Sequence, residues 1–353
     1  MNGKKICYAL LQNDFFSDGL NGRVSHAIGF SKGLADNNNH VSVLCGIGVD
    51  KFIQTNQKIS LKVFDCAPFI WVYLLFCSRS FDSVIIRWRP FFGIFFYFHG
   101  LIYKNIVFEV NSLTSLNARY SLFKSLALID FYLLANYFKL IFNSVRNQAR
   151  FISHLGQPSA DHVRSTVLPN GFDAQTFKKI DFSFENKVIN LIYFGTYQPY
   201  YDWKYLFSEV DKFPTEFADC VLNLYGINGK DSKSIIYRGA FTPTQLISDL
   251  SALKSQVLIL HNDSSAMSVS GSPMKLFEYC ATGLPVFVSR NVTHLVENFP
   301  VVKYFDTNIE GDLTRALIQF FGTGEASLHD SGCNSLHAVN NMSWKALINK
   351  FDI

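Results

Sequence analysis

Short apolar runs alternate with helix-length amphipathic segments along almost the whole chain, and that alternation restricts the fold more than any other feature. The first half carries the runs ICYALL, VSVLC, SVIIRW, NIVFEV, LIFNS and TVLPN. Helical patterns separate them near Gly22–Asn38, Pro68–Cys77, Pro90–Tyr103, Leu116–Phe138 and Arg146–Leu155. A second series restarts with VINLIYFG, CVLNLYG, SIIYRG, VLILHN, PVFVS and VKYF. Its helices are expected near Asp202–Lys212, Pro243–Leu253, Pro273–Thr282, Val292–Asn298 and Glu310–Phe321. Strands that alternate with helices lie parallel, with helices covering both faces of the sheet. Twelve strands exceed one comfortable twisted sheet, so the pattern predicts an α/β chain of two doubly wound, Rossmann-like domains. The polar stretch NGFDAQTFKKIDFSFENK separates the two series. The expected organisation is therefore an N-terminal domain over 1–168 and a C-terminal domain over 169–335. A last helix within 336–353, around Ser343–Phe351, is expected to pack back on the first domain.

Charge and cysteine usage exclude several classes of function. Against 32 Lys and Arg stand 28 Asp and Glu, a net +4 with no long basic run, too mild for a nucleic-acid footprint. The seven Cys are scattered, odd in number and without a CxxC pair, which fits a reduced, cytoplasmic protein with core thiols. No His, Cys or Asp cluster has metal-ligand spacing, and neither a P-loop nor a nucleophile elbow occurs, so no metal or cofactor is expected. The opening MNGKKICYALL reads as a charged start before a strand, not a secretory signal. The apolar stretches Ala67–Cys77 and Phe91–Tyr103 fall short of the ~20 residues that span a bilayer.

One segment, SGSPMKLFEYCATGLPVFVS over Ser270–Ser289, concentrates punctuation and charge. Ser272 suits an N-cap and Pro273 the first helical position. Met274, Phe277 and Ala281 repeat at helical spacing, Gly283 is a natural stop, and PVFVS reads as a strand buried on both faces. Lys275 and Glu278 are left over, off the apolar face. As a surface ion pair they would contribute only ~0.3 kcal/mol. Yet ligands in such sheets sit beyond the carboxyl ends of the strands, against helix N-termini. There the free N–H groups and Lys275 suit a phosphate, and Glu278 suits a ribose diol.

The segment closely resembles the nucleotide-sugar motif of GT-B fold glycosyltransferases, in particular the large retaining glycosyltransferase family 4 of the bacterial surface-polysaccharide type. That pattern is Pro-x-Lys-x-x-Glu-Tyr-x-Ala-x-Gly-x-Pro-Val, matched here at every position from Pro273 to Val286. VLPNGFDAQTF is similar to the interdomain linker of that group, and LIYFGTYQPYYDWKYL to the first strand and loop of its C-terminal domain. FEVNSL and the terminal SWKALINKF also have counterparts.

The resemblance implies two domains facing a central cleft and transfer of a sugar from a UDP- or GDP-type donor to a saccharide acceptor. The transfer would be metal-independent and retaining. The implied donor-binding residues are Gly22, Gly195, Ser270, Gly271, Ser272, Pro273, Met274, Lys275 and Glu278. Asn111 stands where many relatives have a His that contacts the transferred sugar, and Asp14 is a candidate general base or a loop cap. Asp202 is either an acceptor-orienting group or the N-cap of the next helix. Where well-studied relatives carry a second Glu and an Arg–Lys clamp, this chain has Ser270, Thr196 and Asp202. The acceptor implied is polyprenyl-diphosphate-linked, in capsule, O-antigen or exopolysaccharide synthesis. The Phe-rich stretches beside Arg79, Arg87, Arg89 and Lys104 then suit peripheral contact with the inner membrane face. Two other readings are a catalytically silent GT-B subunit and a nucleotide-sugar epimerase on the same fold.

Overall fold

The computed structural model describes residues 3–11, 22–89, 91–103, 105–111, 121–155, 163–183, 188–198, 201–262, 274–292, 303–323, 334 and 336–350. The chain divides into two compact units. One carries Met1–Gly171 and Trp344–Ile353, the other Phe172–Val269 and Pro273–Ser343.

In the first unit β1 (Lys5–Ala9), β2 (His40–Gly46), β3 (Ile59–Phe64), β4 (Ser83–Arg87), β5 (Ile106–Val110), β6 (Lys139–Phe142) and β7 (Ser165–Val167) form one sheet. Its order is β3-β2-β1-β4-β5-β6-β7 and every pairing is parallel. The sequence pattern marks every one of these strands except β3. That strand is an edge in which only Ile59 is buried, so it lacks the continuous apolar run of the others.

The helices of this unit are α1 (Gly22–Asp36), α2 (Ala67–Cys77), α3 (Phe92–Ile102), α4 (Ser121–Tyr137) and α5 (Val145–Leu155). The buried Asp130 of α4 fixes the start of α3: its carboxylate accepts from Phe91 N and Ile94 N at 3.0 Å and from Trp88 Nε1 at 3.2 Å. Both α2 and α3 bury one side and expose the other. Ile70, Leu74 and Phe96 are buried, whereas Phe76 and Phe98 are 79% and 74% exposed.

The second unit has β8 (Val188–Phe194), β9 (Asp219–Tyr225), β10 (Ile235–Gly239), β11 (Gln256–Leu260), β12 (Val286–Ser289) and β13 (Lys303–Phe305). Their order is β10-β9-β8-β11-β12-β13, again all parallel. The helices are α6 (Trp203–Asp211), α7 (Pro243–Ala252), α8 (Met274–Ala281) and α9 (Asp312–Phe321). Local chemistry sets their ends. Asp202 caps α6 by accepting from Tyr205 N at 3.1 Å, and Thr242 caps α7 by accepting from Gln245 N at 3.2 Å. Buried Glu209 receives Gly311 N and Thr314 N at 2.6 and 3.0 Å at the start of α9. Gly283, at φ +71°, stops α8.

The last helix, α10 (Trp344–Asn349), lies against α1 in the first unit. Close approach there needs glycine: a Cβ at Gly33 would fall 2.7 Å from Trp344 Cβ, and one at Gly29 only 2.2 Å from Trp344 Nε1. The helix expected near Val292–Asn298 lies almost wholly outside the described residues.

Candidate functional site

The strand order of the second unit reverses between β8 and β11, so the carboxyl ends of these two strands form its topological switch point. Gly195 follows β8 and His261 follows β11. α8, which follows β11 in the chain, is tied to the end of β8 by the buried Tyr279: its hydroxyl accepts from Phe194 N at 3.1 Å and donates to Phe194 O at 3.3 Å. This fixes the first turn of α8, with Met274 and Lys275, beside the end of β8.

Lys275 passes directly over Gly195. A Cβ there would lie 2.1 Å from Lys275 Cε, and the residue's φ of +136° independently favours glycine. The ammonium donates to the Tyr201 hydroxyl at 3.3 Å and stands 5.5 and 5.3 Å from the ring centres of Tyr193 and Tyr201. Glu278, one turn further along α8, is half-buried. Burial pushes its carboxyl up to about 7, and the Lys275 charge offsets this only in part. The expectation of a residue wholly off the packed face is thus modified.

His261 completes the corner. It is buried among Trp203, Tyr201 and Tyr193, with ring centres 4.4, 5.2 and 5.5 Å away. Among the described residues neither of its ring nitrogens has a hydrogen-bond partner. Burial and the Lys275 charge hold it neutral, with its pKa lowered to about 3. His261 is thus a neutral, aromatic-walled ring behind Lys275.

The first unit carries a separate polar cluster at the carboxyl end of β5. Glu109 pairs across strands with Arg87 of β4. Its carboxylate accepts from Tyr8 Oη at 2.6 Å and Asn111 Nδ2 at 2.8 Å, and it meets His26 Nε2 through Oε1. The other His26 nitrogen, Nδ1, lies 2.8 Å from Asn170 Oδ1, so both ring nitrogens face oxygen acceptors. Burial favours the neutral acid at Glu109. His26, Arg87 and the donated hydrogen bonds outweigh it and hold the group down at about 2. Asn111 is further fixed through its carbonyl, which accepts from Asn143 Nδ2 at 3.0 Å and Asn147 Nδ2 at 3.2 Å. Arg87, expected to flank a surface stretch, is buried instead because it serves Glu109.

Gly22 begins α1 in that unit. Asp14, Ser270, Gly271, Ser272 and Pro273 lie outside the described residues. No cluster of His, Cys, Asp and Glu with metal-holding geometry occurs among the described residues, and no described helix is long and apolar enough to cross a membrane.

Two all-parallel, doubly wound units with this strand order define the GT-B fold of glycosyltransferases. The chain is similar to HepE of Anabaena, solved in complex with UDP and glucose, at 14% identity and a TM-score of 0.68 over 98% of both chains. It is also similar to a sucrose-phosphate synthase from Thermosynechococcus elongatus, at 14% identity and a TM-score of 0.69 over 98% of this chain and 97% of that one. WaaG, a glycosyltransferase involved in lipopolysaccharide biosynthesis, matches at 13% identity and a TM-score of 0.61 over 98% of both chains. Neither a family model nor a curated protein sequence matches the chain.

Proposed function

We propose that this protein is a glycosyltransferase that moves a sugar from a nucleoside diphosphate sugar to a saccharide acceptor. The observation that carries the reading is the switch-point corner, where Lys275 lies on Gly195 and Glu278 follows one turn later. The solved GT-B structures similar to this chain include ones holding UDP with glucose and UDP-glucose. A departing diphosphate needs preorganised positive charge, and Lys275 with the N-terminal turn of α8 supplies it. Charge neutralisation by these groups makes the reaction metal-independent. Glu278 accepts the ribose hydroxyls. In the first unit, the amide of Asn111, locked by Glu109, Asn143 and Asn147, is the group offered to the transferred sugar. Asp14 is the proposed general base, and transfer proceeds with retention.

A thermal-shift panel of UDP, GDP and their common hexose conjugates tests this. Stabilisation by one nucleotide family is expected. No stabilisation by any member would contradict the donor reading and favour a silent subunit.

The acceptor is proposed to be lipid-linked, in bacterial surface-polysaccharide synthesis at the cytoplasmic membrane face. Support comes from the outward sides of two helices. Phe69, Val72 and Phe76 of α2 and Phe95, Phe98 and Leu101 of α3 are exposed, and so are Arg79 and Arg89. Apolar rings suit acyl chains, and each nearby basic residue contributes ~1 kcal/mol to binding an anionic surface. The expected result is co-sedimentation with anionic liposomes at low salt, weakened by high salt and by Phe76→Glu with Phe98→Glu. A protein that stays in the supernatant under every condition refutes it, and a soluble acceptor follows.

A further inference from the structure

The segment after β8 is built to present one aromatic ring. Tyr193 Oη donates to Thr196 O at 2.7 Å, Trp203 Nε1 donates to Gln198 O at 2.9 Å, and Gln198 Nε2 donates to Thr196 Oγ1 at 3.1 Å. The residue between these two pinned carbonyls is Tyr197. Its ring stacks on Trp203, with centres 5.3 Å apart and planes 14° from parallel, and yet it remains 58% exposed. Trp203 is in turn buried against His261, 4.4 Å between ring centres, so the shelf under Tyr197 is rigid. An exposed tyrosine whose two chain neighbours have pinned carbonyls, and which has a buried ring behind it, is more than a scattered surface aromatic.

We propose that Tyr197 is a stacking residue for the pyranose ring of the sugar donor. The inference rests on the donor reading given above. A pyranose has a C–H face that fits an aromatic ring and a rim of hydroxyls that needs polar partners. Thr196 Oγ1 and the Gln198 amide lie next to Tyr197 in the chain and supply such groups. Position selects the donor. Lys275, the diphosphate partner, lies over Gly195, two residues before Tyr197, and the donor sugar is bonded to that diphosphate.

The test is calorimetry of the full chain with UDP, UDP-glucose, UDP-N-acetylglucosamine, GDP and GDP-mannose. Tyr197→Ala should weaken the bound nucleotide sugar about tenfold, while affinity for the matching nucleoside diphosphate is unchanged. Tyr197→Phe, which keeps the ring, should bind both like the wild type. Equal weakening of nucleotide and nucleotide sugar by Tyr197→Ala would overturn the proposal, since the ring would then serve the nucleotide. An unchanged nucleotide-sugar affinity would overturn it as well. A wild-type protein that binds none of the five ligands overturns the donor reading itself, an outcome distinct from either of these.

Discussion

Glu109→Ala is expected to lower the stability of the first unit by about 3–5 kcal/mol, the cost of removing one partner from a buried charge network. The substitution leaves His26 Nε2, Tyr8 Oη and Asn111 Nδ2 without their shared acceptor and strands Arg87 in the interior. The pH dependence has a defined sign. A carboxyl held at about 2 in the folded state titrates near its ordinary value of 4.5 when unfolded. Its contribution is therefore present above 4.5 and is lost as pH falls through about 2. Thermal denaturation followed from pH 7 downwards should show a lowered midpoint for Glu109→Gln at neutral pH and a shallower loss on acidification. A variant as stable as the wild type at pH 7 would show that the network contributes nothing net. Glu109→Ala also frees the Asn111 side chain, so transfer should fall even at temperatures where that variant stays folded.

Glu278→Gln is expected to weaken nucleotide-sugar binding by about 1.5–3 kcal/mol, roughly 10- to 100-fold, the loss for a charged hydrogen-bond acceptor. Burial sets the pH behaviour. The folded carboxyl ionises at about 7, against 4.5 for the exposed group. In the free protein, stability therefore declines as pH rises from 4.5 to 7, because only the unfolded chain has released the proton there. Accepting two ribose hydroxyls requires the anion, so affinity for UDP-glucose should rise with pH and level off above about 7. The diphosphate of a nucleotide sugar has no ionisation in this range, so the profile reports on the protein. Glu278→Gln should flatten it. A wild-type affinity independent of pH between 5.5 and 8 would remove Glu278 from the ribose site.

The features legible in the sequence are those written locally. Alternating strand and helix patterns gave both sheets, since a two-face-buried strand is a continuous apolar run. The cap at Asp202 and the stop at Gly283 marked helix ends to within a few residues. Lys275 and Glu278 stood out because they are charged residues left over beside an apolar helical face. Long-range juxtapositions left no such trace. His26 and Glu109 are 83 positions apart, and nothing in VSHAIGF or FEVNSL announces that they meet. Arg87 reads as a charged strand end beside a Phe-rich stretch, and only the cross-strand register with Glu109 explains its burial. The Phe-rich helices are each half core and half surface, a division that an almost wholly apolar sequence cannot encode in its periodicity. Strand β3 was missed for the converse reason: an edge strand alternates lysine and serine with its few apolar residues.

Hydrogen–deuterium exchange of the full chain, with and without UDP-glucose and GDP-mannose, tests the central claim most directly. Binding at the switch point predicts slowed exchange in the first turn of α8 around Met274 and Lys275 and in the Gly195–Gln198 loop. The outer helices α7 and α9 should be unchanged. Protection confined to other segments, or none with any nucleotide sugar that stabilises the protein, would contradict the placement of the donor at Lys275 and Glu278.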